Sequence, residues 1–304
     1  MPPRDPEEAT AAGPAIGGHL PAATRMGTVH LEVADLDRSL TYYEKALGLF
    51  EHERDGSRVV LGTGGEDLLV LYEEPGSQPS FHYSGLYHYA LLVPDRKALA
   101  AFLVHAARER VQLMGMSDHF VSEAIYLRDP DAHGIEVYWD RPREVWEGRV
   151  GERMTTLPLD TRDLLSELED PHTHDFEGLP KATTMGHVHL RVSAVHPVVR
   201  FYRDTLGFGL MAELDGQAAF LGAGGYHHHI GANSWESAGR PQAPPGVATM
   251  KHLTVLLPDA DAVETAAADL DAHGHEPERC NGGAVRVADP SGNVVVLEAD
   301  GAGS

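Results

Sequence analysis

The alternation of apolar and polar positions along the chain predicts one short unit that is repeated. An apolar run typical of a strand is followed by an acidic or proline break, and then by a segment with helical apolar spacing, as at Leu40, Tyr43 and Leu47. Three short apolar runs come next, separated by Gly, Asp-Pro or Asp-Gly turns. The unit is therefore βαβββ, and the predicted fold class is α+β.

Matching residues indicate that the unit occurs four times. Two copies align with a constant spacing of 159 residues, which pairs His30 with His189 and Gly48 with Gly207. Two further copies align with a spacing of 164 residues, which pairs His88 with His252. Modules one to four begin near Gly27, Gly85, Gly186 and Lys251.

A single βαβββ unit leaves a sheet edge and a sheet face uncovered, so two units must pack together into a half-barrel with a concave side. Four modules therefore predict two bowl-shaped sheets. The predicted organisation is a disordered N-terminal arm over 1–24, a domain of modules one and two over 25–142, a linker with one helix over 143–184, and a domain of modules three and four over 185–300.

Charge and composition narrow the classes of partner. The chain has 304 residues, of which 42% are hydrophobic, and its formal net charge is -22. This charge disfavours nucleic acid and anionic membrane surfaces, which require compensating Lys and Arg. Cys280 is the single cysteine. With no disulfide framework, no apolar signal segment and no membrane span in the pattern, we expect a cytoplasmic protein that acts on a small molecule.

Two polar residues interrupt apolar strands of module two. His88 lies in the run GLYHYALLVP, and Glu136 lies in the run GIEVYW. A buried ionised carboxylate is costly unless it is paired or binds a cation, so both residues are candidate metal ligands. The alternative is that His88 is a core histidine bonded to a backbone carbonyl and Glu136 a surface residue of an edge strand.

The paired units, the FYRDTLGF-type end of the first helix and the DPxG-type turn before the last strand resemble the vicinal oxygen chelate superfamily. That superfamily includes extradiol ring-cleaving dioxygenases, glyoxalase I and bleomycin-resistance proteins. The segments SDHFVSEAIYLRDPDAHGIEVYWDRP, MGHVHLRV and GGYHHHIGANSW are more narrowly similar to its catechol 2,3-dioxygenase-like branch. The resemblance implies a metal held in one bowl by two His and one Glu, a set that suits Fe(II), with Mn(II) as the alternative.

Under this resemblance His88 and Glu136 are the preferred ligands, because module two alone has a carboxylate at this place on its last strand. The third ligand depends on which modules pair. Pairing of modules two and three favours His189, whereas pairing of modules one and two favours His30. We prefer His189, because module three carries further histidines that are costly to keep in an unused bowl. Another arrangement holds the metal in the C-terminal half with His189, His229, His252 and Glu298.

Other candidates are assigned by position. His119, His187 and His229 are predicted catalytic residues, and His227 and Tyr138 are predicted to bind substrate. Strand alternation allows at most two of the three consecutive histidines at 227–229 to face a site. The alternatives are that His119 caps a turn, that the histidine cluster is an adventitious metal patch, and that the aromatic residues are core.

The implied reaction is the opening of a catechol-type aromatic diol by O2 at Fe(II). The expected partners are therefore a small aromatic diol and O2, without nucleic acid or membrane, and a homo-oligomer is left open. Two other functions remain: a non-catalytic protein that binds an aromatic ligand or antibiotic, and a glyoxalase-type metal isomerase. The matched His and Glu residues count against the first, and glyoxalase-like sites tend to use more carboxylate or Gln ligands.

Overall fold

The computed structural model describes residues 17–301. Module one contains β1 (Arg25–Val33), α1 (Leu36–Leu47), β2 (Phe50–Asp55), β3 (Arg58–Gly62) and β4 (Asp67–Glu73), and β5 (Gln78–Pro79) follows it. Module two contains β6 (Gly85–Leu92), α2 (Arg96–Glu109), β7 (Leu113–Asp118), β8 (Ser122–Arg128) and β9 (Gly134–Asp140). The connecting segment contains α3 (Arg143–Trp146), α4 (Val150–Arg153), β10 (Leu157–Pro158) and α5 (Thr161–Leu165).

The second half of the chain repeats this order. Module three contains β11 (Thr184–Arg191), α6 (Val195–Arg200) with a π-helical turn (Phe201–Thr205), β12 (Gly209–Leu214), β13 (Ala218–Gly222) and β14 (Ile230–Asn233). After β15 (Val247–Ala248), module four contains β16 (Met250–Leu257), α7 (Ala260–Ala272), β17 (Glu278–Arg279), a 3-10 turn (Asn281–Gly283), β18 (Val285–Ala288) and β19 (Val294–Ala299). The predicted α+β fold of four βαβββ units is confirmed.

The acidic residue after each first strand is a helix cap. Asp35, Asp95 and Asp259 each accept a hydrogen bond from the backbone N–H three residues further on, at the start of α1, α2 and α7. Such a cap satisfies one of the backbone donors that a helix start leaves without a partner. Gly48 ends α1 with φ 66°, a left-handed conformation that favours glycine. The breaks in the sequence pattern thus end the strands and start the helices.

The modules pair across the two halves of the chain. The nine-stranded sheet has the order β10-β7-β8-β9-β6-β11-β14-β13-β12, and the eight-stranded sheet has the order β17-β18-β19-β16-β1-β4-β3-β2. The joining strands are antiparallel in both: β6 meets β11 with His88 opposite His189, and β1 meets β16 with His30 opposite His252. We call these sheets the two–three bowl and the one–four bowl.

Neither bowl is confined to one of the predicted domains. Each takes one module from 25–142 and one from 185–300. Of the arm predicted over 1–24, residues 1–16 lie outside the described residues. The described part runs along module three, where the backbone N–H groups of His19 and Leu20 donate to Gly207 O at 2.8 and 3.0 Å.

One hydrophobic core unites the two bowls. It contains buried side chains from all four module helices, such as Tyr43 of α1, Phe102 of α2, Val198 of α6 and Val263 of α7, together with residues of both sheets. Because the core takes one face of each sheet, the opposite, concave faces are left for polar residues. Among the described helices, none has the length and apolar character that crossing a membrane would require.

Candidate metal centre

Three buried ligand-type side chains meet on the concave face of the two–three bowl. They are His88 on β6, Glu136 on β9 and His187 on β11, and one ligand atom from each lies within 4.8 Å of the others. His88 Nε2 and His187 Nε2 each lie 3.0 Å from Glu136 Oε2. A two-histidine, one-carboxylate group is a common ligand set for a divalent transition metal.

Strand register brings these residues together. Ala90 of β6 pairs with His187 on one side and with Glu136 on the other. The small side chain of Ala90 leaves the space through which the two longer ones approach each other. His88 lies two residues from Ala90, on the same face of β6. The site therefore takes one ligand from each of three adjacent strands.

A register shift at Gly186 sets this alignment. The pairing of β11 with β6 shifts between Met185 and His187, which makes Gly186 an extra residue on β11. A Cβ atom at position 186 would lie 1.8 Å from the hydroxyl of Tyr138. Glycine is required here because Tyr138 packs directly against the backbone just before His187.

The electrostatics of the cluster suit a cation. Burial acts to raise the pKa of Glu136, but His187 and His88 outweigh it, and the pKa lies well below its usual value. Burial lowers the pKa of His187, against the opposing effect of Glu136, so its imidazole is neutral. An ionised carboxylate beside a neutral imidazole is the protonation state in which these groups bind metal.

Geometry and hydrogen bonding also fit a metal ion. The separations of 3.0 Å from Glu136 Oε2 to the two Nε2 atoms are short enough for one ion to contact all three residues. His88 Nε2 is buried and makes no well-directed hydrogen bond to a described residue, although Glu136 Oε2 lies 3.0 Å away. Because a buried nitrogen without a well-directed bond is costly, an ion bound here would satisfy it.

His189, the predicted third ligand, lies beside the cluster and is not a member of it. Its ring centroid is 5.0 Å from that of His88. The Asn233 side-chain amide lies 3.0 Å from His189 Nε2 and donates to it, and the ring covers Gly231, where a Cβ would lie 2.8 Å from His189 Cγ. His189 Nε2 is therefore bonded to a neighbour outside the cluster. Of the two histidines on this face of β11, His187 joins the cluster and His189 does not.

The other two predicted arrangements are not assembled. His30 lies in the one–four bowl, where its ring stacks on His252 with centroids 3.7 Å apart. Glu298 is on β19 of that same bowl, whereas His189 is on β11 of the two–three bowl. Both alternatives required modules that do not share a sheet.

The cluster opens into a cavity on the concave face. Its polar lining includes His119, Tyr126, His189 and His228, and Met154, Leu214 and Phe220 are its apolar lining. Polar groups that converge beside an apolar wall are a feature of small-molecule sites.

His119 forms a fixed pair with Tyr126 in this cavity. His119 Nδ1 lies 3.1 Å from Thr155 O and donates to it, so in the neutral ring Nε2 is the acceptor. The Tyr126 hydroxyl lies 2.6 Å from that Nε2. Burial lowers the pKa of His119, with an opposing effect from Glu136. The pair therefore presents a phenol oxygen whose proton is directed at an imidazole.

A second chain of side chains runs behind His228. His227 Nε2 lies 2.7 Å from Asp140 Oδ1 and must donate, because a carboxylate only accepts. His227 Nδ1 and His228 Nδ1 are 2.9 Å apart. For a neutral His227, its Nδ1 accepts, His228 Nδ1 donates, and His228 Nε2 carries a lone pair. Burial, together with His187 and His227, holds the pKa of His228 well below its usual value, so the ring is neutral.

Three predicted site residues lie outside the cavity lining. His227 is fully buried behind His228. Tyr138 is buried with its hydroxyl 2.7 Å from that of Tyr226, and its ring supports His187 at a centroid distance of 4.8 Å. His229 Nδ1 accepts from Ala223 N at 3.1 Å, and burial lowers its pKa to about 3. These three residues pack behind the cavity. Of the predicted catalytic residues, His119 faces the cavity and lies outside the ligand cluster.

Sequence reasoning missed His228 and Tyr126. The alternation argument treated residues 227–229 as strand, whereas β14 begins at Ile230 and the histidines lie in the preceding segment. Tyr126 could have been found, because it pairs with Glu136 across β8 and β9 and so must share its face.

Comparison with known proteins agrees with this architecture. The chain is 37% identical over 273 residues to a protein of Bacillus subtilis (strain 168) named Catechol-2,3-dioxygenase, and the match covers 88% of this chain and 94% of the relative. A putative dioxygenase structure from Bacillus subtilis superimposes with a TM-score of 0.62 at 13% identity, covering 91% of this chain and 86% of that one.

A structure of glyoxalase I from Zea mays superimposes with a TM-score of 0.56 at 17% identity, covering 90% of this chain and 92% of that one. At such low identity, these two structural matches establish the fold alone. The family description Glyoxalase/Bleomycin resistance protein/Dioxygenase superfamily matches residues 25–137 and 184–297. These matched segments hold the four modules and the three clustered side chains, and the chain belongs to that superfamily.

Proposed function

We propose that the protein is an extradiol dioxygenase that opens the ring of a catechol-type diol with O2. The observation that carries this proposal is the buried cluster of His88, Glu136 and His187 at the inner end of the cavity. The 37% identity to a protein named Catechol-2,3-dioxygenase supports it.

His88, Glu136 and His187 would hold the metal, which we propose is Fe(II), with Mn(II) as the alternative. Three protein ligands from one side leave positions open for other molecules, and Fe(II) at such a site supplies the electron transfer between a bound diol and O2. The carboxylate and two neutral imidazoles leave the site with a net positive charge when a divalent ion is bound. That charge favours binding of the diol in its deprotonated form.

His228 is the proposed general base. Its Nε2 carries a lone pair in the arrangement that Asp140 and His227 impose, and the residue lines the cavity next to His187, with ring centroids 4.1 Å apart. A diol hydroxyl that binds at the ligand cluster can therefore transfer its proton to His228 Nε2. Asp140 and His227 act as positioning residues, since they hold the ring and its tautomer.

His119 and Tyr126 are proposed to serve the opposite side of the substrate. The Tyr126 hydroxyl donates to His119 Nε2, 2.6 Å away, and both residues line the cavity, so the pair can position the diol by hydrogen bonding. The apolar side chains of Met154, Leu214 and Phe220 pack around the ring and limit the access of water.

The test is ring cleavage by the reconstituted full-length protein. Apo-protein is loaded with Fe(II) without air, mixed with catechol and then exposed to O2, while O2 uptake and the yellow absorbance of a semialdehyde product are followed. We expect O2 uptake and colour in proportion to the bound iron. Absence of O2 uptake with catechol, substituted catechols and hydroquinones would contradict the proposal and would leave a metal isomerase as the function to test.

A further inference from the structure

A second pocket lies beside the cavity at the ligand cluster. We call it the outer chamber, and it shares the lining residues His88 and Tyr126 with the inner cavity. Tyr87, Met114, Met116 and Arg128 are further lining residues. Neither the ligand cluster nor the proton-transfer residues described above require this space, so it is available to a part of the substrate that does not react.

Two glycines on the concave face keep the outer chamber open. Gly115 pairs with Tyr126, and Gly134 pairs with both His88 and Arg128, so both glycines share the face that carries the site. A Cβ at position 134 would lie 2.0 Å from Tyr87 O, and at position 115 it would meet nothing within 4 Å. Position 134 tolerates no side chain, and position 115 leaves a gap beside Tyr126.

The charge of the outer chamber is unusual for this chain. Among the described residues that line it, Arg128 carries the permanent charge and none is a carboxylate, although the whole chain has a net charge of -22. Arg128 is exposed and forms no ion pair with a described carboxylate. A guanidinium without an acidic neighbour at the mouth of a pocket is suited to bind a carboxylate through two parallel hydrogen bonds.

A second arginine adds to the positive potential at this end of the bowl. Arg191 is 6% exposed, donates to the backbone oxygens of Leu86 and Ser80, and lies 3.8 Å from Glu236. Burial lowers the pKa of Arg191, Glu236 opposes this, and Arg128 lowers it further. The two guanidinium groups therefore repel each other, and an anion bound at Arg128 reduces that repulsion.

We propose that the outer chamber binds an anionic substituent of the substrate, so that the substrate class is a diol ring with a carboxylate-bearing side chain. The ring occupies the inner cavity at His88, and the carboxylate lies against Arg128. The strand β7, which carries the exposed residues Met114 and Met116, borders the chamber between these two positions. The diol ring in this inference rests on the proposed function. The preference for a carboxylate is a separate statement.

The test compares an anionic diol with a neutral one of similar size. Fe(II)-loaded protein is titrated without air with 3-(3,4-dihydroxyphenyl)propanoate and with 4-propylcatechol by calorimetry, and kcat/KM for each is then measured from O2 uptake. We expect 3-(3,4-dihydroxyphenyl)propanoate to bind more tightly, and Arg128→Ala to weaken its binding about tenfold or more. Binding of 4-propylcatechol should change less than about threefold. Alanine is chosen because it is the residue at the matching register position of module four, Ala288.

Two controls separate the local effect of Arg128 from the overall charge. Arg128→Lys keeps the charge and should retain part of the preference, although it cannot form a two-bond contact. Arg286→Ala removes an exposed arginine from β18 of the one–four bowl and should leave the affinity for both compounds unchanged.

The outcomes distinguish this inference from the proposed function. If the protein prefers the anionic diol, Arg128→Ala abolishes that preference, and no ring is cleaved, the carboxylate site is supported and the dioxygenase function is contradicted. Ring cleavage with equal kcat/KM for the two compounds, or no effect of Arg128→Ala on either, overturns the carboxylate site and leaves the dioxygenase standing. Binding of neither compound also overturns the carboxylate site.

Discussion

The two bowls of this protein share a backbone plan and differ in chemistry. At matching positions of the joining strands, His88 faces His189 in the two–three bowl and His30 faces His252 in the one–four bowl. Both joints carry a register irregularity at the same two places. The duplication therefore preserved the strand pairing to the level of its bulges.

One row of three side chains, next to the facing histidines, differs between the ligand cluster and the histidine pair of the other bowl. The row that reads His187, Ala90, Glu136 in the two–three bowl reads Thr28, Thr254, Val296 in the one–four bowl. Without the carboxylate and the third ligand, the remaining histidines bond within the protein.

His30 of the one–four bowl is bonded within the protein, since both of its ring nitrogens have protein partners. Its Nε2 lies 2.9 Å from Thr28 Oγ1, and its Nδ1 lies 3.0 Å from the Tyr72 hydroxyl. His88 Nε2, in contrast, makes no well-directed hydrogen bond to a described residue, and its near neighbour is the carboxylate of Glu136 at 3.0 Å. A histidine in the right strand position therefore does not make a metal site by itself, and a ring nitrogen that faces other ligand-type atoms is the better indicator.

The largest expected effect comes from making the two–three bowl resemble its counterpart. Glu136→Val installs the residue found at 296 and removes the ligand that lies 3.0 Å from both imidazoles. We expect loss of bound metal and a fall in ring-cleavage rate of about a thousandfold or more. Metal analysis and O2 uptake measure this. Glu298→Gln changes a carboxyl group in the other bowl and is the control, so it should retain bound metal and ring-cleavage activity. A Glu136→Val variant that is still active would contradict the assignment of Glu136 as a ligand.

A smaller effect is expected from the positioning residue Asp140. In Asp140→Asn the amide can donate to His227 Nε2, which reverses the donors and acceptors along the chain and moves a proton onto His228 Nε2. We expect kcat to fall about 10- to 100-fold while metal content and KM stay near wild type. Stopped-flow and steady-state kinetics across pH test this, with Asp300→Asn as a surface control. An unchanged kcat and pH profile would remove Asp140 from the mechanism.

The smallest effect concerns stability and belongs to the one–four bowl. Burial, with Arg286 and Lys251, lowers the pKa of His252 to about 4. A histidine with a lowered folded-state pKa stabilises the protein above its unfolded pKa of about 6.5, and this contribution is lost as the pH falls below that value. Between pH 7 and pH 5 we expect His252 to account for a loss of about 2 kcal/mol in unfolding free energy.

Denaturant unfolding of wild type and His252→Gln at both pH values measures this contribution as a difference. The variant should lose less stability than wild type over the same interval, because it has no buried imidazole to protonate. His273→Gln, at an exposed position after α7, provides the matched control. Equal pH dependence in wild type and His252→Gln would show that His252 is not held neutral by its surroundings.

The sequence predicted the repeated unit because each module keeps its apolar periodicity and its acidic helix caps, as at Asp35 and Asp95. Glu136 was also predictable, since an ionisable residue in an apolar strand requires a partner. The choice between His187 and His189 was not, because both lie on one face of β11. It depends on the bulge at Gly186 and on the Asn233 amide, and neither is visible before the strands are paired.

We propose that His187, and not His189, completes the ligand set with His88 and Glu136. The decisive measurement is the metal content of two matched variants, His187→Thr and His189→Thr, reconstituted with Fe(II), desalted without air and analysed by mass spectrometry, with circular dichroism to verify folding. We predict that His187→Thr binds iron at least about a hundredfold more weakly than wild type and that His189→Thr retains it. Iron retained by His187→Thr and lost by His189→Thr would contradict the account.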